Sequence, residues 1–355
     1  MTSPSRMRLT VQKGAEFWND SCALGELRDA VEHGATGATS NPVIVSAAVK
    51  ADLKTWTPVL DAIIANHGTA SEDEVAWLLI EEMGRQAASI LKPVHLETKG
   101  LQGFLSMQVS PKHYNNAARM IEHGRTLAAI APNIAIKVPS TAAGVQAAEE
   151  LVASGINVNA TVSFTVSQAM AVAEAFERGL DRAAKTGADM RTLHPYMTLM
   201  VGRLDDLLQR VAAKEQIAID PGYLAWAGIA VFKRAHALFI ERGFRSRLLV
   251  AAYRHHLHWS QLIGSGILHT MPYPWWKQFE ASDIEVEDTL HKPVNPEIVA
   301  TLQKKFKDFN LAYDEGALKP EQFVSFGATV HTLQQFLGGY QDLLGLVRDR
   351  MLLPR

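Results

Sequence analysis

The sequence lacks the features that mark secreted and membrane-spanning proteins. Its only cysteine is Cys22, so no disulfide can form within the chain, and this favours a reducing compartment. No apolar run is long enough to span a bilayer, and residues 1–13 are polar and lack the apolar core of a secretion signal. We therefore expect a cytoplasmic protein without a membrane span.

The chain also has almost no excess of charge of either sign. It carries 35 lysine and arginine residues against 37 aspartate and glutamate residues, for a formal net charge of -2. This balance creates no long-range field that would attract nucleic acid or an anionic membrane, so neither is an expected partner. Hydrophobic residues make up 47 % of the 355 positions, which is enough for the core of a large globular domain.

No spacing of ligand residues stands out as a metal site. His255, His256 and His258 lie close together, but no cysteine or acidic residue stands at a helical interval to complete a ligand set. A metal bound by these histidines is the weaker interpretation, and we predict no metal site.

Short apolar segments alternate with segments of helical periodicity along most of the chain. Helices are predicted over residues 24–32, 43–65, 71–91, 112–130, 142–153, 167–186, 204–213 and 222–242. Eight strands are predicted to alternate with these segments, and they end at Asp20, Ser40, Val109, Lys137, Phe164, Val201, Tyr253 and Met271. Eight such units are the signature of a closed α/β barrel, so we predict a (β/α)8 TIM barrel.

A single domain is predicted for residues 1–355. The barrel would occupy about residues 14–278, and residues 279–355 would form a helical C-terminal extension packed on it. Ser71 and Glu74 match a capping box at the start of one predicted helix.

Polar side chains occur at or near the C-terminal ends of the predicted strands. In a barrel these ends meet at one mouth, where the active site lies. Each residue alone has an ordinary explanation, because an Asp after a strand often caps a helix and a surface Arg often forms an ion pair. Their number favours an active site, and the residues are Asp20, Asn41, Gln108, Lys137, Asn159, Thr161, Arg203 and Arg254.

Lys137 is the main candidate for a catalytic residue. It follows Ile134 and Ile136 at the end of a short apolar strand, where lysine is seldom buried without a reason. Burial lowers the pKa of an amine, and a neutral amine in a dry cavity attacks carbonyl groups to form a Schiff base. The alternative is a lysine whose side chain extends to solvent. Arg203 and Arg254 would suit a phosphate, which arginine binds through charged hydrogen bonds.

These residues lie in motifs that resemble those of the transaldolase family. Residues 38–42 (ATSNP) resemble the family's Asn-Pro signature, and residues 136–141 (IKVPST), with Gly144 after them, resemble the Schiff-base lysine motif. Residues 155–161 (GINVNAT) and 164–169 (FTVSQA) resemble the strand and helix that follow this motif in the family. Residues 201–203 (VGR) and 252–254 (AYR) resemble its two phosphate-binding arginine sites. The resemblance runs from about Phe17 to Met271, and the long connection 176–194 is similar to the longer bacterial branch of the family.

The resemblance implies a role for each matching residue. Lys137 would form the Schiff base with a ketose phosphate, and Asp20 would take the proton of the C4 hydroxyl as the C3–C4 bond breaks. Thr161 would help to place the catalytic water. The implied substrate-binding residues are Asn41 and Asn159 at the dihydroxyacetone unit, Thr198, Arg203 and Arg254 at the phosphate, and Ser40.

The implied reaction moves a three-carbon dihydroxyacetone unit from sedoheptulose 7-phosphate or fructose 6-phosphate to an aldose phosphate, a transferase step of the pentose phosphate pathway. The lysine is the only covalent catalyst, so the resemblance implies no cofactor and no metal. Small-molecule sugar phosphates are the expected partners, and a homodimer is compatible with the sequence.

One catalytic position departs from the family pattern. The family's acid/base glutamate aligns with Gln108, and an amide can position a water but cannot shuttle its proton. The related fructose-6-phosphate aldolases have Gln here, usually with a Tyr near the position of Met200, so the match to them is also incomplete. Ala252 stands where a phosphate-contacting Ser is common.

Three functions therefore stay open. The first is a transaldolase. The second is an aldolase of the same fold that releases free dihydroxyacetone, or a transaldolase-like enzyme for another anionic sugar. The third is a catalytically weak homologue kept as a binding or structural protein, and the presence of Lys137, Asp20 and both arginines argues against it.

Overall fold

A closed barrel of eight parallel strands forms the centre of the molecule. In the computed structural model, which describes residues 5–353, neighbouring strands pair in chain order and the last strand pairs with the first. The strands are β1 (Glu16–Asn19), β2 (Gly37–Thr39), β3 (Phe104–Gln108), β4 (Ile134–Pro139), β5 (Val158–Thr161), β6 (Tyr196–Met200), β7 (Arg247–Ala251) and β8 (Leu268–Met271). The predicted (β/α)8 barrel is confirmed.

Helices surround the barrel and cross its ends. In the barrel region they are α1 (Arg6–Gln12), α2 (Leu24–Glu32), α3 (Pro42–Ala51), α4 (Leu53–Asn66), α5 (Glu72–Glu97), α6 (Ala117–Ala128), α7 (Ala142–Ala153), α8 (Val166–Lys185), α9 (Val201–Glu215), α10 (Pro221–Leu224), α11 (Ala227–Arg242), α12 (Leu257–Ser260) and α13 (Tyr273–Ala281). The C-terminal part adds α14 (Pro296–Lys305), α15 (Lys307–Tyr313) and α16 (Gly327–Met351). Residues 1–4 of the polar N-terminal segment and 354–355 of the predicted extension lie outside the described residues.

Several predicted boundaries were wrong for local reasons. The helix predicted over 43–65 is two helices, because Asp52 leaves helical geometry and its side chain caps α4 by accepting from the Thr55 N–H. The helix predicted from residue 112 starts only at Ala117, after a 3-10 turn over Pro111–His113 and a cap by Asn116. Residues 282–295, within the predicted helical extension, form an irregular segment.

Other boundaries follow their predicted signals. Ser71 and Glu74 form the expected capping box of α5, with both reciprocal hydrogen bonds present. Helix α7 spans the predicted residues. Its Gly144 is required by packing, because a Cβ there would lie 1.7 Å from the Pro139 carbonyl oxygen. A side chain at this position would push α7 away from the end of the lysine strand.

The last helix lies over the carboxyl ends of the strands. Helix α16 packs against α3 and α5. At Gly339, α16 approaches α3 so closely that a Cβ on this glycine would lie 2.6 Å from Val43 Cγ2. Within residues 5–353, no helix combines the length and the apolar character needed to cross a membrane.

Candidate active site

A cavity of about 590 Å³ opens at the carboxyl ends of the strands, between the barrel and α16. Its size falls within the range of small-molecule sites, about 300–1,000 Å³. Six residues predicted for the site line it, namely Asp20, Asn41, Lys137, Thr161, Arg203 and Arg254. The other four, Ser40, Gln108, Asn159 and Thr198, are buried and lie outside its lining.

Lys137 and Asp20 form the ionisable centre of this cavity. Lys137 is 5 % exposed, and its Nζ donates a hydrogen bond to the Ser40 carbonyl at 3.3 Å. Burial lowers the pKa of Lys137, the negative charge of Asp20 opposes that change, and Arg203 adds to it. The structure thus excludes the solvent-extended alternative, and the environment favours the neutral, nucleophilic amine.

Burial acts in the opposite direction on Asp20. It raises the pKa of the carboxyl group, while the charge of Lys137 and a hydrogen bond from Thr39 partly offset the change. Thr39 Oγ1 donates to Asp20 Oδ1 at 2.5 Å and also lies 2.6 Å from Thr270 Oγ1. A carboxyl group held in one position, with a pKa above its ordinary value, is suited to accept and return a proton.

Gln108 stands on the strand beside Lys137. The two residues are direct partners in the register of β3 and β4, so their side chains leave the same face of the sheet. Gln108 is 6 % exposed, and its Oε1 accepts no hydrogen bond from the residues that the structure describes. A buried carbonyl oxygen without a partner is unusual and is often a sign of function.

Asn159 is held from two sides by buried hydroxyl groups. It is the register partner of Lys137 on β5. Thr198 Oγ1 donates to Asn159 Oδ1 at 2.6 Å, and Asn159 Nδ2 donates to Ser106 Oγ at 3.1 Å. One Nδ2 hydrogen remains available to a ligand. Thr198 thus bonds to Asn159, with no hydrogen bond to Arg203 or Arg254.

Asn41 and Thr161 face the cavity from loop and strand ends. Asn41 is the N-cap of α3, and its Oδ1 accepts from the Ile44 N–H at 3.0 Å, so its amide group keeps its donors for a ligand. Thr161 Oγ1 lies 3.8 Å from Met200 Sδ, its acceptor. Thioether sulfur is a weak acceptor, so the Thr161 hydroxyl can readily turn to a water or substrate oxygen.

A glycine brings the two arginines of the cavity together. Arg203 lies in the first turn of α9 and Arg254 follows β7. The Gly202 N–H donates to the Ala252 carbonyl at 3.1 Å, and a Cβ on Gly202 would lie 2.1 Å from that oxygen. Burial, and next the charge of Arg254, lower the pKa of Arg203 to about 10. Two guanidinium groups held side by side in this way are suited to bind an anion.

Each arginine has a neighbour that holds its guanidinium group. Arg203 Nη1 donates to Gln335 of α16, while its Nε is buried without a partner among the described residues. Arg254 Nη2 donates to Asp206 Oδ2 at 2.7 Å, and its Nε also contacts that carboxylate. Arg203 thus has an unused N–H, and Arg254 is pre-oriented by an ion pair.

Two residues next to the site have left-handed backbone geometry. Val162 has a φ of 55° and Ala252 a φ of 67°, which is costly for a residue with a Cβ, most of all for a β-branched one. Gln168 stabilises the first of these loops, because its Nε2 donates to the Ser140 and Val162 carbonyls and its Oε1 accepts from the Phe164 N–H. Gln168 thereby fixes the chain beyond both β4 and β5.

The histidine cluster gains the acidic partner that its sequence spacing lacked. Asp205 of α9 accepts from His258 Nε2 at 2.7 Å and contacts His255 Nε2 at 3.2 Å. His258 Nδ1 accepts from the Arg254 N–H at 3.1 Å, so its proton lies on Nε2. A metal on Nε2 would need that proton moved to Nδ1, which would break the bond to Arg254. These contacts instead hold the backbone at Arg254.

Sequence reasoning missed the part of the cavity that α16 supplies. Gln335, Phe336 and Asp342 line it from that helix. Nothing in the local pattern of α16 marks these residues, since they are ordinary positions of an amphipathic helix. Met200 was noted only as a replacement, although it lines the cavity and contacts Thr161.

The fold and the site are those of a barrel enzyme whose candidate catalytic groups lie at the carboxyl ends of its strands. The family model for transaldolase/fructose-6-phosphate aldolase matches residues 17–325, and the chain belongs to this family. The resemblance drawn from the motifs is thus confirmed.

Curated relatives named transaldolase are between 26 % and 30 % identical to this chain over the aligned residues. The protein of Neisseria meningitidis serogroup C is 30 % identical over 286 residues, covering 75 % of this chain and 81 % of its own. That of Thiobacillus denitrificans is 29 % identical over 293 residues, covering 73 % and 79 %. That of an Arthrobacter species is 26 % identical over 369 residues, covering 98 % and 92 %.

Proposed function

We propose that this enzyme transfers a dihydroxyacetone unit from a ketose phosphate, sedoheptulose 7-phosphate or fructose 6-phosphate, to an aldose phosphate. The observation that carries the proposal is the amine of Lys137, buried at the base of the cavity beside Asp20. Membership of the transaldolase/fructose-6-phosphate aldolase family and relatives named transaldolase support it.

Lys137 begins the reaction as a neutral amine. Its nitrogen attacks the C2 carbonyl of the ketose, and the carbinolamine that forms takes up a proton, delivered by Asp20 or by water, and loses water to give a protonated Schiff base. Burial favours this step because it lowers the amine pKa and so raises the neutral fraction at neutral pH. The positive Schiff base then withdraws electrons from the C3–C4 bond.

Asp20 supplies the base for bond cleavage. As the C3–C4 bond breaks, the carboxylate of Asp20 takes the C4 hydroxyl proton, C4 becomes the carbonyl of an aldose phosphate, and the electron pair forms an enamine on Lys137. The enamine carbon then attacks the acceptor aldehyde, Asp20 returns the proton, and water releases the new ketose. Thr39 keeps the Asp20 carboxylate in place during both transfers.

The remaining roles follow from the positions of the donors. The free donors of Asn41, with Asn159 and Ser40 behind them, suit the hydroxyl groups of the dihydroxyacetone unit. The Thr161 hydroxyl suits the water that leaves and returns. The phosphate would lie at Arg203 and Arg254, where α9 and the end of β7 meet. Thr198 would act through Asn159, whose amide it orients.

Gln108 favours a second candidate, an aldolase of the same fold. An amide beside Lys137 can order a water through its free Oε1 but cannot take its proton. If the enamine is protonated by water before an acceptor arrives, hydrolysis releases free dihydroxyacetone. The same departure allows a transaldolase-like enzyme for another anionic sugar.

A coupled assay with fructose 6-phosphate tests the proposal. Release of glyceraldehyde 3-phosphate is followed by NADH oxidation, with and without erythrose 4-phosphate. A transaldolase releases it in proportion to acceptor and hardly at all without one. Equal steady release in both reactions would identify an aldolase, and no release in either would contradict both functions for this substrate.

A further inference from the structure

A second cavity lies on the outer layer of the barrel. It measures about 600 Å³ and shares no lining residue with the catalytic cavity. One wall is helix α11, and the opposite wall is formed by the irregular segment after α13 and by α14 and α15. Its volume is within the range of small-molecule sites.

The wall opposite α11 is held in place by the protein itself. The N–H groups of Thr289 and Leu290 both donate to the Ile263 carbonyl, at 2.9 and 3.0 Å. Leu290 is 3 % exposed and packs closely on Gly264. A Cβ on Gly264 would lie 2.5 Å from the Cβ of Leu290. The cavity is therefore preformed, and a ligand would not have to order the segment.

The lining of this cavity contains basic residues and no acidic ones. Lys233, Arg234, His236, His291 and Lys292 line it, and no acidic side chain does. Two acidic groups act on these residues from outside the lining: Glu287 pairs with Lys292 at 2.6 Å, and the charge of Asp288 acts on Lys233.

Most of the cationic donors are not used by the protein. Lys233 Nζ donates to the Thr289 and Lys292 carbonyls at 2.7 and 2.6 Å, which leaves one of its three hydrogens. Arg234 and His236 have no hydrogen bond or ion pair within residues 5–353. The imidazole rings of His236 and His291 lie 5.9 Å apart between their centroids.

The rest of the lining is apolar. It consists of Ala230, Ala237, Ile240, Leu290, Pro293, Val294 and Val299, with the ring of Tyr313. A bare inorganic anion would leave this surface exposed, whereas a ligand with an apolar ring would cover it. Burial, and next the charges of His291 and Lys233, also lower the pKa of His236, so a dianion there would restore its protonated form.

From this geometry we propose that the cavity is a second ligand site, separate from the catalytic one, for a small phosphate monoester whose phosphate contacts Lys233, Arg234 and the two histidines while an apolar ring covers the aliphatic wall. The proposal does not depend on the reaction at the barrel mouth. A phosphate monoester fits better than a monocarboxylate because its dianion can accept from more of the unused donors at once.

Phenyl phosphate is the probe, because it combines the dianion with a flat apolar ring. Inorganic phosphate carries only the dianion, phenol only the ring, and benzoate the ring with a single charge. The readout is NMR of protein labelled at histidine Cε1, with His236 and His291 assigned from His236→Gln and His291→Gln. We expect phenyl phosphate to shift both signals saturably and to bind about tenfold or more tightly than the other three.

Variants separate this cavity from the catalytic one. Arg234→Ala should weaken the binding that His236 reports by about tenfold or more, because it removes a charged hydrogen bond. Arg28→Ala, an exposed arginine of α2, is the matched control and should change nothing. Arg254→Ala should also leave the His236 response intact. His291→Gln, read at His236, is the second test if Arg234→Ala folds poorly.

Three results would overturn the proposal. One is the absence of saturable shifts at both histidines. Another is equal affinity for phenyl phosphate and inorganic phosphate, which would reduce the cavity to a nonspecific cationic patch. The last is a response that survives Arg234→Ala but disappears in Arg254→Ala, which would assign the binding to the barrel mouth.

Discussion

Gln108 and Lys137 are paired residues of adjacent strands, and the carbonyl oxygen of the glutamine has no hydrogen-bond partner in the described part of the chain. The amine that we propose as the nucleophile therefore has an amide for a neighbour, at the position where the resemblance to transaldolases leads one to expect a carboxylic acid. In the proposed mechanism, the proton that moves during Schiff-base formation would then pass through Asp20 or through water near Thr161.

Restoring the acid at position 108 should change the catalytic balance. We expect Gln108→Glu to raise transfer from fructose 6-phosphate to erythrose 4-phosphate, because general acid–base catalysis contributes about 10²–10⁴-fold where it operates. The pH profile of kcat/KM should change, and its apparent pKa values would belong to the cluster with Lys137 and Asp20. Gln209→Glu, at an exposed position of α9, is the control. No gain at any pH would show that the site is built around the amide.

The two arginines should matter only for substrates that carry an anion. A charged hydrogen bond contributes about 1.5–3 kcal/mol, so Arg203→Ala or Arg254→Ala should raise KM for fructose 6-phosphate by about 10- to 100-fold. Cleavage of unphosphorylated fructose should hardly change, and Arg28→Ala should affect neither substrate. Steady-state kinetics on both sugars decides, and equal losses on both would contradict a phosphate site.

The raised pKa of Asp20 predicts that the substitution Asp20→Asn lowers activity but raises stability at high pH. Asp20→Asn should lower kcat by about 10²–10⁴-fold because it removes the base. In the wild type, kcat should fall as the pH drops through the raised pKa, above the ordinary value of 3.8. A profile that stays flat down to 3.8 would count against Asp20 as the base.

The same shift sets how the stability of the wild type depends on pH. A carboxyl group whose pKa is raised by folding stabilises the native state at low pH, and this contribution is lost as the pH rises through the raised value. Asp20→Asn should therefore unfold at a higher urea concentration than the wild type at pH 8, with a smaller difference at pH 4. A variant that is less stable at pH 8 would contradict the burial effect.

Gln168 should be a stabilising residue although it does not line the catalytic cavity. Gln168→Leu keeps a similar volume but leaves the Phe164 N–H and the Ser140 carbonyl without this partner. Each buried polar group that loses its partner costs about 1–3 kcal/mol of unfolding free energy. Gln209→Leu is the matched surface control. If urea denaturation gives the same midpoint for both variants, Gln168 does not hold the loops after β4 and β5.

The barrel was predictable because each strand carries a local signal. Runs such as Ile134–Pro139 are short and apolar, and helices follow them with caps that can be read directly, as at Ser71. The break at Asp52 was missed because its apolar neighbours continue a helical period across it. The boundary is marked by the hydrogen bond from the Thr55 N–H to the Asp52 side chain, which depends on the folded backbone.

The candidate site was predictable where residues follow strands and not where α16 crosses the mouth. Asp20 and the arginines follow strands, and Lys137 lies in the carboxyl half of β4, which continues to Pro139 beyond the predicted end; barrel topology brings these positions together. Gln335 reaches Arg203 from 132 positions away, and Asp205 reaches His258 from 53, so no local pattern contains either contact. Long-range pairing of this kind requires the folded chain.

The most direct test of the account is to trap the covalent adduct. The enzyme is incubated with fructose 6-phosphate, reduced with borohydride, digested and analysed by mass spectrometry. Lys233 offers a control, because burial lowers the pKa of its amine to about 8 although it lies outside the catalytic cavity. We predict that a reduced dihydroxyacetone adduct forms on Lys137 in the wild type and in Lys233→Met, and is absent in Lys137→Ala. An adduct on any other lysine, or one that persists in Lys137→Ala, would contradict the account.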